Sequence, residues 1–339
     1  MENNFKGKHG PLLIAEIGGN HEGNFEYAKQ LAKLAIDTNV DYVKFQIYTG
    51  DSLVSSIESP DRNKHFKKFE LTKEQHIYLA EMVKEAGILY TSSVWDISAM
   101  QWLDKYITLY KIGSGDLNAY PVLEETAKIG KPMIISTGLA TEAEVLETVA
   151  FLQSVNPQYK SKDMLAVLQC TSMYPIPAKD ANLNVMQRLK EQTDLTIGYS
   201  DHTEGSKALM YAVAMGAEVL EFHFTDNREG KVFRDHKVSL TPDEIKELIS
   251  EISLIKDFQG DATKKPVAIE IENGHVESFR RAVYPAVNLK KGDVLTKENL
   301  TVLRPNHGID ARDYYKLLGK TVNTDIQKHQ KLDWSFISE

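Results

Sequence analysis

One cysteine, Cys170, stands among 339 residues, which excludes an intramolecular disulfide framework. It closes an apolar run at 164–169 and reads as a buried structural thiol rather than a nucleophile. No apolar stretch approaches membrane-spanning length, and residues 1–11 are polar where a secretory signal would carry its apolar core. The expectation is a cytoplasmic protein with no membrane partner. Lys and Arg form no long run, and a net charge of −8 argues against a nucleic-acid surface. Internal repeats and low-complexity segments are missing too. What is present is 42% hydrophobic and 26% charged, enough for one large core and a small second domain.

Strand and helix patterns alternate as far as residue 257. Strand-like runs fall at 12–17, 41–46, 88–93, 108–112, 132–137, 164–169, 195–199 and 217–222. Most are short and continuously apolar, as parallel strands buried on both faces require. Helical patterns follow each one, at 25–38, 72–86, 97–104, 120–129, 142–153, 182–191, 204–215 and 242–257. Start signals agree, as in Thr72 with Glu74 and Gln75, or Thr241-Pro242-Asp243-Glu244. Eight such units predict an α/β fold, a (β/α)8 TIM barrel with its chemistry at the C-terminal strand ends. A doubly wound open sheet is the alternative, but it rarely needs eight units with so few insertions. The barrel is expected over 1–260, a linker of little periodicity over 261–278, and a small β-rich domain over 279–339. That last part has short runs at 282–288 and 301–303, a turn at Lys291-Gly292-Asp293 and a helical stretch at 311–318.

Polar residues collect at the strand ends. Gly198-Tyr199-Ser200-Asp201-His202-Thr203 and Glu221-Phe222-His223-Phe224-Thr225 end the last two strands. Histidines on adjacent strand ends would converge on one spot, as metal ligands drawn from distant parts of a chain do. Either one alone reads better as a hydrogen-bonded histidine at a strand end, and the repeated placement is what favours a shared ligand role. Glu16 ends the first strand, Lys44 and Gln46 sit in the second, and Ser92-Ser93 ends the third. Lys111 is followed by Gly113-Ser114-Gly115-Asp116, the fifth strand ends in Ser136-Thr137-Gly138, and the sixth in Thr171-Ser172-Met173-Tyr174-Pro175. A lysine inside a buried strand is expensive unless an anion pairs with it. Lys44 and Lys111, with Ser114, Ser136 and Ser200 as donors, suggest a pocket for a phosphate and a carboxylate. Pairing of each lysine with a buried acid is the plainer alternative, and Schiff-base chemistry a third.

Other patterns carry less. Ser200-Asp201-His202 is no triad, because neighbours in sequence rarely point together. Gly113-Ser114-Gly115 lacks the rest of a dinucleotide fingerprint. Residues 61–68 read as a solvated loop whose position would suit a lid.

The ordered set of strings resembles the sialic acid synthase family, which includes legionaminate and pseudaminate synthases. These enzymes condense phosphoenolpyruvate with an N-acylated hexosamine to give a nine-carbon 2-keto acid. The matching strings are Ala15-Glu16-Ile17-Gly18, Asn20-His21-Glu22-Gly23, Val43-Lys44-Phe45-Gln46, Tyr110-Lys111-Ile112-Gly113-Ser114-Gly115, Ile135-Ser136-Thr137-Gly138, Tyr199-Ser200-Asp201-His202-Thr203 and His223-Phe224-Thr225. Val302-Leu303-Arg304-Pro305-Asn306-His307-Gly308-Ile309 is similar to the arginine-bearing signature of the family's antifreeze-like (β-clip/SAF) domain.

The resemblance implies a domain-swapped homodimer and a divalent metal, manganese first with magnesium or cobalt behind it, held by His202 and His223. It implies Lys111, Ser114, Ser136, Ser172 and Ser200 on the phosphate, with Lys44 and Ser93 on the carboxylate of phosphoenolpyruvate. Gln46, Tyr174 and Asp235 would face the metal or the sugar, and Arg304 the acyl group in a partner subunit. Glu16 is the candidate for proton transfer, with Asp116 second. Family members often carry Asn where Ser172 stands and Glu where Asp116 stands. The usual Ser-Thr-Pro-Phe is here Ser92-Ser93-Val94-Trp95, and a Gly-Pro-Asp-His segment is Phe233-Arg234-Asp235-His236. The acceptor sugar, N-acetylmannosamine or a 2,4-diacetamido-trideoxyhexose, is where these departures bear. Arg234 would signal an anionic acceptor or an ion pair with an acidic neighbour. A lyase with Lys111 as Schiff base, and a non-catalytic carbohydrate-binding module, are the rival readings.

Overall fold

The computed structural model describes residues 3–338. Eight parallel strands form its centre: β1 (Gly10–Glu16), β2 (Tyr42–Ile47), β3 (Leu89–Val94), β4 (Tyr110–Ile112), β5 (Met133–Ser136), β6 (Leu165–Cys170), β7 (Thr196–Asp201) and β8 (Val219–His223). Each pairs with the next, and β8 returns to β1, with Leu12 opposite Val219 and Glu16 opposite His223. The sheet is therefore a closed (β/α)8 barrel. A two-residue strand, Lys6–Gly7, adds antiparallel to the start of β1.

The principal helices are α1 (Phe25–Ile36), α2 (Lys73–Glu85), α3 (Ile97–Leu103), α4 (Tyr120–Ile129), α5 (Glu142–Val155), α6 (Asn184–Thr193), α7 (Lys207–Ala214) and α8 (Pro242–Gln259). Thr72 and Thr141 start theirs with capping boxes, each satisfying two donors that a helix end leaves free. At Thr241 the Glu244 carboxylate reaches back to accept from Thr241 N at 2.8 Å. Among the described residues, no helix is long and apolar enough to cross a membrane.

Alternation along each strand sorts two layers. One phase faces the helices and builds the main core, with Leu13, Val43, Tyr110, Ile135, Val167, Ile197 and Leu220. The other phase faces the barrel axis. Its lower part is apolar, with Leu12, Ile14, Tyr42, Leu109, Ile134, Leu168 and Val219 packed beside Phe5. Its upper part carries the polar residues, so the apolar layer floors the site. Gly198 allows the close approach, since a Cβ there would lie 2.2 Å from the Val219 carbonyl oxygen.

The stretch at 61–68 is no loop: Pro60–Phe69 is a helix that follows a shorter one, Gly50–Leu53. Pro60 at its first turn supplies the helical φ. Asn63 and Phe69 turn inward and are buried, while the polar remainder hides that amphipathic side in the sequence.

The second compact unit is Asp261–Glu339. Its first part, expected as a linker, contains the short helices Ala268–Glu272 and His275–Ser278. Strands β9 (Ala282–Pro285) and β10 (Leu300–Leu303) pair antiparallel. The helical stretch near 311–318 is a 3-10 turn, Ala311–Asp313, running into Tyr314–Leu317. Val283, Leu289, Leu295, Leu300, Ile309 and Leu317 belong to a core of its own.

Candidate active site

A cavity of about 1260 Å³ opens at the C-terminal strand ends. Glu16, Lys44, Gln46, Ser93, Lys111, Ser114, Asp116, Ser136, Ser172, Tyr174, Ser200, His202, His223 and Asp235 all line it. Arg304 belongs to the second unit, where its guanidinium lies over the ring of Phe279 at 5.1 Å.

At the floor, Lys44 contacts Glu16 directly and stands 3.2 Å from Glu221 Oε1. Lys111 Nζ lies 3.2 Å from Glu221 Oε2 and donates to the Ile112 carbonyl at 3.0 Å. Ser200 Oγ donates to Glu221 Oε2 at 2.8 Å, and Gln46 Nε2 to Glu16 Oε1 at 2.8 Å. The lysines thus pair with buried acids, the plainer of the readings their sequence allowed. Glu221 escaped the assignment of site residues. Its signal was present, because it stands two residues before His223 on β8 and so shares the inward face.

The two carboxylates ionise differently. Burial pushes Glu16 up to about 7, against the pull of Lys44. Burial also pushes Glu221 up, but Lys111 and Lys44 outweigh it and hold this carboxyl well below the usual range. Against its own burial, Lys44 is held above the ordinary lysine value by Glu16 and Glu221. Burial brings Lys111 below it and raises Asp116 to about 6. Environments that drive like groups apart mark acid–base assignments.

Hydroxyls crowd beside this cluster. A Cβ at Gly138 would fall 2.3 Å from Ser172 Oγ and 2.8 Å from Ser114 Oγ. Only glycine leaves that hollow open. The Gly138 N–H donates to Ser114 Oγ at 3.0 Å, and Ser136 Oγ is buried without a hydrogen-bond partner among the described residues. A hollow of unspent donors beside ammonium groups is a place for an oxyanion.

Above lie the histidines, ring centroids 5.4 Å apart. His202 Nδ1 is 2.7 Å from the Thr171 carbonyl, which fixes the proton on Nδ1 and leaves Nε2 free to coordinate. His223 Nδ1 is buried without a hydrogen bond, with Asp235 Oδ2 at 3.9 Å. Burial holds both imidazoles below their ordinary value, in the neutral form a metal needs. Among the described residues no third His, Cys, Asp or Glu converges with them. The pair fits a divalent metal whose other positions take water or substrate oxygens. Tyr174 packs on both rings, at 3.9 Å and 5.4 Å.

Asp201 turns away, accepting from Thr203 N at 2.8 Å and Tyr199 OH at 3.1 Å, so Ser200, Asp201 and His202 form no triad. Cys170 lines the cavity wall, and burial raises its thiol, which stays neutral. Arg234 Nε donates to Asp235 Oδ1 at 3.1 Å, the ion-pair reading of that residue.

The chain is similar to known proteins over most of its length. The NeuB family matches residues 31–264 and the SAF domain residues 280–338. N,N'-diacetyllegionaminic acid synthase of Campylobacter jejuni is 33% identical over 334 residues, covering 94% of this chain and 98% of its own. Human N-acetylneuraminate-9-phosphate synthase is 32% identical over 336 residues, covering 95% and 91%. The crystal structure of N-acetylneuraminic acid synthetase from Leptospira borgpetersenii, in complex with citrate, superposes with a TM-score of 0.71 at 30% identity, covering 78% of this chain and 90% of that one. The chain belongs to the NeuB family and carries a SAF domain after its barrel.

Proposed function

We propose that the chain condenses phosphoenolpyruvate with the open-chain aldehyde of an N-acylated hexosamine, releasing phosphate and a nine-carbon 2-keto sugar acid in a metal-dependent reaction. The observation that carries this reading is one cavity holding two buried lysines, a hydroxyl-lined hollow at Gly138 and a neutral histidine pair. The names of two relatives, N,N'-diacetyllegionaminic acid synthase and N-acetylneuraminate-9-phosphate synthase, support it.

Lys111 with Ser114, Ser136, Ser172 and Ser200 takes the phosphate, and Lys44 with Ser93 the carboxylate. Their charge offsets the trianion and fixes C3 of the enol toward the acceptor. A divalent metal on His202 and His223 supplies, when bound, a Lewis acid for the aldehyde oxygen. Gln46, Tyr174 and Asp235 orient the sugar. The C–C bond forms as C3 attacks the aldehyde carbon. The aldehyde oxygen takes the C=O electron pair. Water then adds at C2, and Glu16 accepts its proton and passes it to that oxygen. The C–O bond to phosphate breaks as the C2 hydroxyl becomes the ketone and gives its proton to the leaving phosphate. Arg304 serves the acyl group in the partner subunit's site of a homodimer.

The test is phosphate release from phosphoenolpyruvate with manganese, across neutral and phosphorylated N-acyl hexosamines and 2,4-diacetamido-trideoxyhexoses. We expect release with at least one sugar, abolished by chelator and by His202→Ala. Borohydride trapping of pyruvate on the protein, lost in Lys111→Ala, would instead establish the Schiff-base reading and sink this one.

A further inference from the structure

Trp95, Phe233 and Arg234, where the sequence departs from its family's pattern, all line the cavity. The helix Pro60–Phe69 lines it too. His65 stacks on Phe233 with centroids 5.9 Å apart, and Phe69 lies 5.0 Å from the same ring. This aromatic contact brings the helix face to Arg234.

Arg62, His65 and Lys68 recur at every third position, so they share one side of that helix. All three are exposed and line the cavity. Among the described residues Arg62 and Lys68 have no ion-pair partner; each lies only over a ring, of Phe66 and Phe69, at 6.0 Å. Arg234 gives Nε to Asp235 and leaves its side chain 64% exposed. Burial, then Arg234, Lys68 and Arg62, hold the His65 imidazole below its ordinary value, which shows how closely these cations crowd.

Three nearby acids have contacts of their own, while Asp61, on the same helix, is exposed with no ion-pair partner among the described residues. Asp51 pairs with Lys67 at 2.8 Å, Glu70 accepts from Gly50 N at 2.7 Å, and Glu22 lies 3.5 Å from His236 Nε2. Arg62 and Lys68, cations without an ion pair that line the cavity beside the paired Arg234, attract anions there on a chain of net charge −8. The cavity, at about 1260 Å³, also exceeds the roughly 300–1000 Å³ of an ordinary small-molecule pocket, leaving room beyond the floor.

We propose that Arg62, His65, Lys68 and Arg234 form a second anion subsite, binding a phosphate or carboxylate on the acceptor at the end remote from its aldehyde. The assignment rests on the synthase reading above, and deepens it by naming an anionic acceptor. Lys44 and Lys111 at the floor are left to phosphoenolpyruvate.

Calorimetry on the manganese-loaded full chain compares N-acetylmannosamine, its 6-phosphate and N-acetylmannosaminuronate. We expect an anionic sugar to bind about tenfold tighter or better than the neutral one, since charge-assisted contacts are the strong ones. The double variant Arg62→Gln/Lys68→Gln should bring its Kd to that of the neutral sugar. Phosphate in preference to carboxylate would identify which anion the subsite takes. Equal binding of neutral and anionic sugars overturns the proposal. So does a matching rise in the KM for phosphoenolpyruvate in the double variant, which would assign the cluster to capture of that substrate. Tight anionic binding, lost in the double variant, without phosphate release from any sugar would keep the subsite and reject the synthase.

Discussion

Glu16 and Glu221 are both buried carboxylates within reach of Lys44, yet their ionisation is driven in opposite directions. Glu16, near 7, can exchange a proton at working pH; Glu221 stays charged and holds both lysines. We expect Glu16→Gln to lower kcat by about 10²- to 10⁴-fold. Activity that rises with pH through about 7 in the parent should lose that rise in the variant, as a pH series of initial rates will show. Glu221→Ala leaves two lysines facing one carboxylate. Breaking a buried pair in this way costs about 3–5 kcal/mol, measurable by urea unfolding, and added phosphate should restore more of the lost Tm than it adds to the parent. The sequence exposed the lysines but not what they touch. A buried lysine announces an anion without saying whether the anion is a ligand or a neighbour, and Glu221 is the neighbour.

Among the elements, the eight strands lie within two residues of where apolar runs placed them, because strands buried on both faces leave little ambiguity. The helix Pro60–Phe69 was hidden by its polar surface. What fixes it is Asn63, whose Nδ2 donates to the carbonyls of Gly50 at 3.0 Å and Val54 at 2.8 Å and to Asp51 Oδ1 at 3.1 Å. Removing these bonds takes a partner from the part-buried Val54 carbonyl, while the Gly50 carbonyl keeps Val54 N and Asp51 keeps Lys67, a net loss of about 0.5–1.5 kcal/mol. Asn63→Ala should therefore speed amide hydrogen exchange across 50–69 while exchange in the barrel strands stays as it was. Uniform acceleration throughout the chain would contradict this placement of the effect.

On the scale of the molecule, acid sensitivity follows from histidines packed away as neutral groups. Burial lowers His21 to about 4 and His76 to about 3. Unfolded, both would titrate near 6.5, so below that value the unfolded chain binds more protons than the folded one. Stability then falls as pH drops from about 6.5 toward 4 and 3, by up to about 1.4 kcal/mol per pH unit for each group. Urea midpoints between pH 7 and 4 should show the decline, and His76→Phe should make it shallower. The sequence marked His21 only as part of the string Asn20-His21-Glu22-Gly23 and His76 not at all, since burial depends on packing from several elements.

The pairing of β1 with β8 has a temporal consequence. Glu16 sits opposite His223 across that seam, so the acid and a histidine of the site come from the first and last strands. During synthesis the growing chain carries an open sheet with two bare edges until β8 emerges, and only then can the site exist. A ribosome stalled before Val219 holds a chain with most of the barrel's sequence and no complete site. Such intermediates are where chaperones would be expected to act.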